Sequence, residues 1–409
     1  MRMNSAKRAS WLFLLSVLTA GCSNQSSDKG GADLSAGNVA DMSVVPDLAP
    51  PAADLSLILL TPRSPTDHPA LQQIKNFGGR VIQNMEMWTI VWTGQEDVAA
   101  QANQFVDWML KSDYWTQSLA EYGVQAGSAK GVIVIPGAAP KNLDDSQVQT
   151  LLSTHVADAL FPSPNANTVY SFIIPNGTTS TLFGTMGCRD YGGYHSETSA
   201  GNMKVPYAVN LSCSTSFDAL TGVVSHESAE VATDPFPFSG PGFVDRDITS
   251  AGEIADLCEG LNRTYTVEGN PDAGTATEHY IVTRVYSKMN AAAENADPCV
   301  PSPPGHTYFS VALDPSNVVV TADSSGGGTT TVKIAPFSES DVGLIKWEID
   351  SPSRSIIFSP NFGTSKAGDT IQVQVTVTPD VTQTSYSFTV YSESQMGGQN
   401  YWWSTLNLQ

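Results

Sequence analysis

Positive charge is scarce in this chain: 20 lysines and arginines stand against 40 aspartates and glutamates, a formal net charge of −20 over 409 residues. Such a field repels polyanions, so no nucleic-acid partner is expected. Cysteine is scarce too, with five residues and no C-x-x-C spacing, which argues against a cysteine-rich zinc module. No G-x-S-x-G occurs, and a serine-hydrolase elbow is set aside with it. The apolar run from Trp11 to Leu18 is too short to remain in a membrane as a span.

That short run is still informative. Arg2, Lys7 and Arg8 precede it, and it ends Leu18-Thr19-Ala20-Gly21-Cys22. The segment resembles a bacterial lipoprotein signal with its lipobox, which implies removal of residues 1–21 and lipidation of Cys22. The expected mature protein is exported and tethered to the membrane through that lipid, on the cell envelope or surface. Loss of the leader removes three basic residues and no acid, deepening the negative charge. Residues 22–65 repeat a short acidic unit (Ala32-Asp33-Leu34-Ser35, Ala40-Asp41-Met42-Ser43, Ala53-Asp54-Leu55-Ser56) among Gly, Ala, Ser and Pro, without an aromatic residue. This composition predicts a disordered stalk.

Residues 66–300 are long enough for one domain with a real core. Glu86–Trp92 is a strand candidate. Val98, Ala102, Phe105 and Met109 mark an amphipathic helix, and Ser112 to Tyr122 a second one stopped by Gly123. Gly131–Ile135 and Thr168–Ile174 read as buried strands, with a helix between them carrying Val148, Leu151, Leu152, Val156 and Leu160. His155 lies on that helix's apolar stripe and is expected to be a satisfied structural histidine. Residues 183–214 show little regular patterning and are expected as loops. The fold class is therefore α/β (mixed α+β, zincin-like) for this domain.

Its centre is Ser225-His226-Glu227-Ser228-Ala229-Glu230-Val231-Ala232-Thr233-Asp234-Pro235. Leu220, Val223, Val224 and Val231 recur at helical spacing, so the segment should bury one stripe, with Glu227 on it and Asp234-Pro235 as the stop. His226 and Glu230 lie one turn apart and point about 40° from each other. An imidazole and two carboxylates leaving water together need a cation among them. This is the logic of the H-E-x-x-H zinc helix with glutamate as the second ligand. An ordinary i,i+4 pair between His226 and Glu230 is the bland alternative. Gly252-Glu253-Ile254-Ala255-Asp256-Leu257-Cys258 follows, offering Glu253 as third ligand and Asp256 as the residue that orients a ligand. His195, in a glycine-rich loop, is a further candidate ligand or substrate contact.

With Cys22 used by lipid, Cys188, Cys213, Cys258 and Cys299 remain. An even set in an oxidising compartment predicts two disulfides out of three connectivities, and sequential pairing is the expected one.

Several of these residues together resemble the EXORDIUM, or phosphate-induced, family of plants and bacteria. The matching stretches are Trp88-Thr89-Ile90-Val91-Trp92, Gln104-Phe105-Val106 through Tyr114-Trp115, Cys188 with Gly193-Tyr194-His195, the motif from His226 to Pro235, and Glu253 to Cys258. They span most of residues 75–262. The resemblance implies an extracellular role linked to growth and carries no settled reaction. The chain departs from the plant pattern in having fewer cysteines around His195.

After the stiff Pro301-Ser302-Pro303-Pro304-Gly305 hinge, residues 306–409 hold about seven strand candidates separated by turn residues. Ile371, Val373, Val375 and Val377 alternate with Gln372, Gln374 and Thr376, one face buried. An all-β immunoglobulin-like sandwich is expected, without a disulfide. Trp402 and Trp403 offer sugar-stacking surface, with at least one of them expected in the core.

The chemistry expected of the whole is peptide or amide hydrolysis. A zinc ion, or manganese or calcium given so many carboxylates, sits on His226, Glu230 and a third group, and Glu227 acts as general base. A peptide, a protein or cell-wall material is the expected substrate. The other reading is a surface adhesion or cell-wall/glycan-binding protein whose metal site is structural or vestigial.

Overall fold

The computed structural model describes residues 74–409 apart from 246–251, 269–276, 293–296, 316, 351–352, 380–383 and 397. The leader, Cys22 and the stalk lie outside the described residues. Among the described residues no helix is long and apolar enough to cross a membrane.

A strand buried on both faces reads as an unbroken apolar run, and Thr168–Ile174 is buried at every position. It is the middle of a five-stranded sheet ordered Ser128–Ile135, Glu86–Trp92, Thr168–Ile174, Met203–Leu211, Gly193–Ala200. The first four strands run parallel, and the last pairs antiparallel with its neighbour. The helices among the described residues are α1 (Glu96–Lys111), α2 (Asp113–Ser118), α3 (Asp145–Ala157), α4 (Phe217–Thr233) and the short α5 (Lys288–Ala292). One face of the sheet, with Met87, Val91, Val169 and Ile173, shares a core with α1 and α4. The other, with Tyr170, Phe172 and Tyr207, packs on Val148 and Leu152 of α3.

Most elements fall where the periodicity puts them, with corrections. On α1, Val98 is exposed and Ala99 is buried instead, because the stripe runs Ala99, Ala102, Phe105, Val106, Met109, Leu110. Leu160 falls beyond the end of α3. His155 is partly buried and partnered, with Nδ1 3.0 Å from Asp158 Oδ2.

The largest difference lies in 183–214, which is not a run of irregular loops. It holds the hairpin Gly193–Ala200 and Met203–Leu211 at the edge of the main sheet. Val205, Tyr207, Val209 and Leu211 do alternate with Lys204, Pro206, Ala208 and Asn210, but a proline inside the run argues against a strand. Pro206 is tolerated because pairing with Thr168–Ile174 begins only at Tyr207, so its missing N–H breaks no ladder bond there.

Helix α4 is also more enclosed than one stripe implies. The hairpin Asn262–Val267 and Glu278–Thr283 packs along it. Thr221 Oγ1 accepts the Ile281 N–H at 3.2 Å, and Ser225 Oγ accepts the Thr283 N–H at 2.9 Å. Small hydroxyl residues thus let a strand lie against a helix with its donors satisfied.

The C-terminal region forms two facing sheets. One is ordered Phe309–Asp314, Gly328–Ser338, Ile371–Val377, Ile356–Ser359. The other is ordered Asn317–Val320, Gln399–Leu408, Ser385–Ser394, Leu344–Asp350, Phe362–Lys366. The predicted alternation holds, with Val373, Val375 and Val377 buried and Gln372 and Gln374 exposed. The short strands Ile356–Ser359 and Phe362–Lys366 escape prediction because Pro360 separates two runs of only a few residues. Trp402 lies in the core, its ring 5.8 Å from that of Phe337.

Candidate metal centre

Three segments meet at the C-terminal half of α4. The helix brings His226, Glu227 and Glu230, the edge strand Gly193–Ala200 brings His195, and the turn before and within Asp256–Cys258 brings Glu253 and Asp256. Each flanking segment is pinned covalently. Cys188 and Cys213 close the open end of the edge hairpin, and Cys258 is joined to Cys299. The sequential pairing is therefore the one present, and it fits a protein that matures in an oxidising compartment.

Local backbone detail makes room for the acids. A methyl group on Gly193 would come within 2.6 Å of Glu227 Oε1 and 2.7 Å of Val223, so only glycine lets the strand approach the helix this closely. Past the helix end, Asp234 Oδ1 accepts the Gly242 N–H at 2.8 Å, fixing the following loop.

The donor atoms fall into two groups. His226 Nε2 stands 3.1 Å from Glu230 Oε1 and 3.3 Å from Asp256 Oδ1. His195 Nδ1 stands 3.5 Å from Glu230 Oε2 and 3.8 Å from Glu227 Oε2. On its far side, His195 Nε2 is 3.1 Å from the Asp234 carbonyl oxygen and 3.3 Å from Glu253 Oε1. The two downstream acids face different histidines. Asp256 joins the helix triad, and Glu253 faces His195. In addition, the Asp256 N–H donates to Glu230 Oε1 at 3.2 Å.

Burial makes this arrangement costly without a cation. His195, Glu227, Glu230, Asp234, Glu253 and Asp256 are each at most 9% exposed, and the His226 side chain is 14% exposed. Five carboxyl groups therefore share two imidazoles, and among the described residues no lysine or arginine pairs with any of them. Burial pushes Glu227 up to about 7 and Glu253 up to about 8, against the pull of the histidines. Burial acts on Glu230 in the same sense, but His226 and His195 overcome it and hold that carboxyl at about 2. Burial opposes charge on both imidazoles. The carboxylates of Glu253, Glu227 and Glu230 around one, and of Glu230 and Asp256 around the other, outweigh it and raise both well above the ordinary value.

The residues fit a metal. A tetrahedral zinc with bonds of about 2.0 Å separates its ligand atoms by roughly 3.3 Å, close to the spacings in the His226 triad. Glu227 Oε2 is buried without a hydrogen-bond partner, as expected of an acceptor directed at a cation.

The centre opens into a small pocket whose walls include Tyr194, Ser196, Leu182 and Pro237. Phe183 and Phe238 line it as well, more than half exposed, with rings 6.3 Å apart and perpendicular. Phe183 has φ +47°, an unfavourable conformation for a bulky side chain. Sequence reasoning missed Asp234 as a partner of His195, having read it only as a helix stop. It also missed both phenylalanines, which carry no periodic signal.

No family model matches the chain, and no curated protein matches it. Solved structures match it over about a quarter of its length. WR4, an MSP family member of C. elegans, is 15% identical, with 24% of this chain and 97% of that one covered and a TM-score of 0.21. A PapD-like domain of human CEP192 is 12% identical, with 29% and 94% covered and a TM-score of 0.20. A chaperone and tip-adhesion subunit complex from Csu pili of Acinetobacter baumannii is 17% identical, with 25% and 56% covered and a TM-score of 0.18.

Proposed function

We propose that this protein is an exported, lipid-anchored member of the EXORDIUM-like proteins, with a zincin-like metal centre that hydrolyses peptide or amide bonds. The carrying observation is the buried excess of acid at the end of α4: five carboxyl groups and two histidines with no lysine or arginine pairing with them among the described residues. His226, Glu230 and Asp256 are the residues that would hold the metal, with zinc favoured and manganese or calcium compatible with so many oxygens. A divalent ion there would supply Lewis-acid polarisation of a substrate carbonyl.

The chain's own groups do the rest. Glu227 lines the same pocket, and burial poises its carboxyl near neutrality, where a group both accepts and returns a proton efficiently. It takes the proton of the attacking water and delivers it to the leaving amine. Asp234 and Glu253 hold the His195 ring in place. Phe183 and Phe238 at the pocket wall favour an apolar side chain beside the bond to be cut. Acyl-lipid attachment at Cys22 would tether this centre, with the β-sandwich, to the membrane.

The test is elemental analysis of protein purified without chelator, followed by assay on fluorogenic peptides. Wild type should bind metal and cleave, and Glu227→Gln should keep its tightly bound metal and lose at least about a hundredfold in rate. Full activity in Glu227→Gln would overturn the assignment. Bound metal with no cleavage of any peptide or cell-wall amide would leave a surface-binding protein with a structural ion.

A further inference from the structure

The helix triad does not use all the donors. His195 Nδ1, Glu227 Oε2 and Glu230 Oε2 form a second group whose ligand atoms all lie within 4.8 Å of one another, and it shares Glu230 with the first group, His226, Glu230 and Asp256. Resting on the hydrolase reading above, we infer that the centre holds two divalent cations, bridged by Glu230. Oε1 of that residue faces His226 and Oε2 faces His195, so its two oxygens are already divided between the two positions.

Two independent observations point to a ligand at the second position. First, Glu227 is 2% exposed, and its Oε2 has no hydrogen-bond partner although it is directed toward the His195 ring. Second, His195 Nε2 lies 3.1 Å from the Asp234 carbonyl oxygen, which can only accept. That nitrogen therefore carries a ring proton, and Nδ1, on giving up its own proton to bind a metal, presents a lone pair toward two carboxylate oxygens. Without a proton on Nδ1 these are three acceptors facing one another, a set that a metal ion satisfies by taking the proton's place, and a histidine whose other nitrogen is tied to a carbonyl and a carboxylate is the usual form of a metal ligand. Carboxylate-bridged ions sit about 3.5–4 Å apart in two-metal hydrolytic centres, a separation that the two oxygens of one carboxylate span.

The second ion has a functional consequence. A carboxylate bound to a cation does not accept a proton, so filling the second position withdraws Glu227 from proton transfer. Metal at low concentration activates, and excess metal slows the reaction.

The experiment titrates metal-free full-length protein with zinc alone, and separately with manganese alone, by calorimetry, with elemental analysis after gel filtration. Two equivalents are expected in wild type. One equivalent is expected in His226→Ala and one in His195→Ala. Glu227→Gln, nearly the same shape and so safer for folding, should weaken only the second equivalent, by more than about tenfold. A single equivalent in wild type that survives in His195→Ala overturns the second site and leaves the one-metal hydrolase standing. No equivalents at all overturn both. Two equivalents unaffected by Glu227→Gln or His195→Ala place the second ion elsewhere and also overturn the proposal.

Discussion

Two regions of this molecule bury charge, and they handle it in opposite ways. At the passage from the α/β layer into the sandwich, Arg284 and Asp297 form an ion pair with side chains only 2% and 6% exposed. His306 Nε2 stands 3.1 Å from the same carboxylate, Ser302 Oγ donates to it at 3.0 Å and the Cys299 N–H at 2.9 Å. Burial pushes the Asp297 carboxyl up, but His306 and Arg284 pull harder and leave it below its ordinary value. Here the chain supplies its own cation. At the end of α4, among the described residues, histidines alone face the acids and no lysine or arginine does, although more acid is buried there, and Glu227 and Glu253 are pushed up where Asp297 is held down. On the reading proposed above, the α4 acids are a surplus directed at a cation from solution and not an ion-pair network left incomplete.

Breaking the self-sufficient cluster should produce the largest effect. Arg284→Met leaves Asp297 buried and without its main partner, and should cost about 3–5 kcal/mol in denaturant unfolding. Removing a charge from the other cluster should do far less in metal-free protein, since Glu253→Gln deletes an acid that burial already disfavours. If Glu253→Gln proves as destabilising as Arg284→Met, the contrast fails.

Adding the missing cation comes next. An ion that binds only the folded state stabilises it by about 2.7 kcal/mol at a hundred times its dissociation constant. Thermal melts of chelated protein should therefore rise with added zinc, and the rise should vanish in Glu230→Gln while persisting in Arg284→Met if that variant folds.

Acid separates the clusters again. Because the folded-state value of Asp297 is lowered, its stabilising contribution is complete above the ordinary carboxylate range and is lost as pH falls through the folded value. The loss lies below about pH 4. Unfolding curves across that range should be steeper in wild type than in Arg284→Met, and equal slopes would show that the pairing contributes nothing.

Much of this was legible in the sequence, because periodicity reports burial. Thr168–Ile174, α1, α4 and Ile371–Val377 follow from their apolar spacing, and the His226, Glu227 and Glu230 cluster follows from one helical turn. The cysteine count gave the number of bridges, and the sequential pairing expected among three connectivities is the one present. What escaped depends on long-range packing. His195 reaches the centre only because the hairpin 193–211 joins the main sheet, and that hairpin was masked by Pro206 and by polar residues on its edge strand. Which histidine Glu253 and Asp256 each face turns on how a short loop folds back, which spacing along the chain does not encode. The Arg284 cluster gave no local signal at all, since its members are spread from 284 to 306 and meet only in the folded state.

The smallest effect belongs to a pair that resembles Arg284 and Asp297 in chemistry and differs in setting. Lys111 Nζ lies 2.5 Å from Asp107 Oδ1 on α1, four residues away, with the two side chains 56% and 45% exposed. Water screens these charges, and ordering two exposed chains offsets much of the attraction. The pair should contribute about 0.3–0.5 kcal/mol, as other exposed i,i+4 helix pairs do. Lys111→Ala should therefore shift the denaturation midpoint by an amount near the limit of detection, and the shift should disappear in high salt. Arg284→Met should keep nearly its full effect in that salt, because its partners are shielded from solvent ions. If salt were to weaken both variants' effects equally, burial would not be what sets the two ion pairs apart, and the surplus of acid at α4 would lose its meaning as a call for metal.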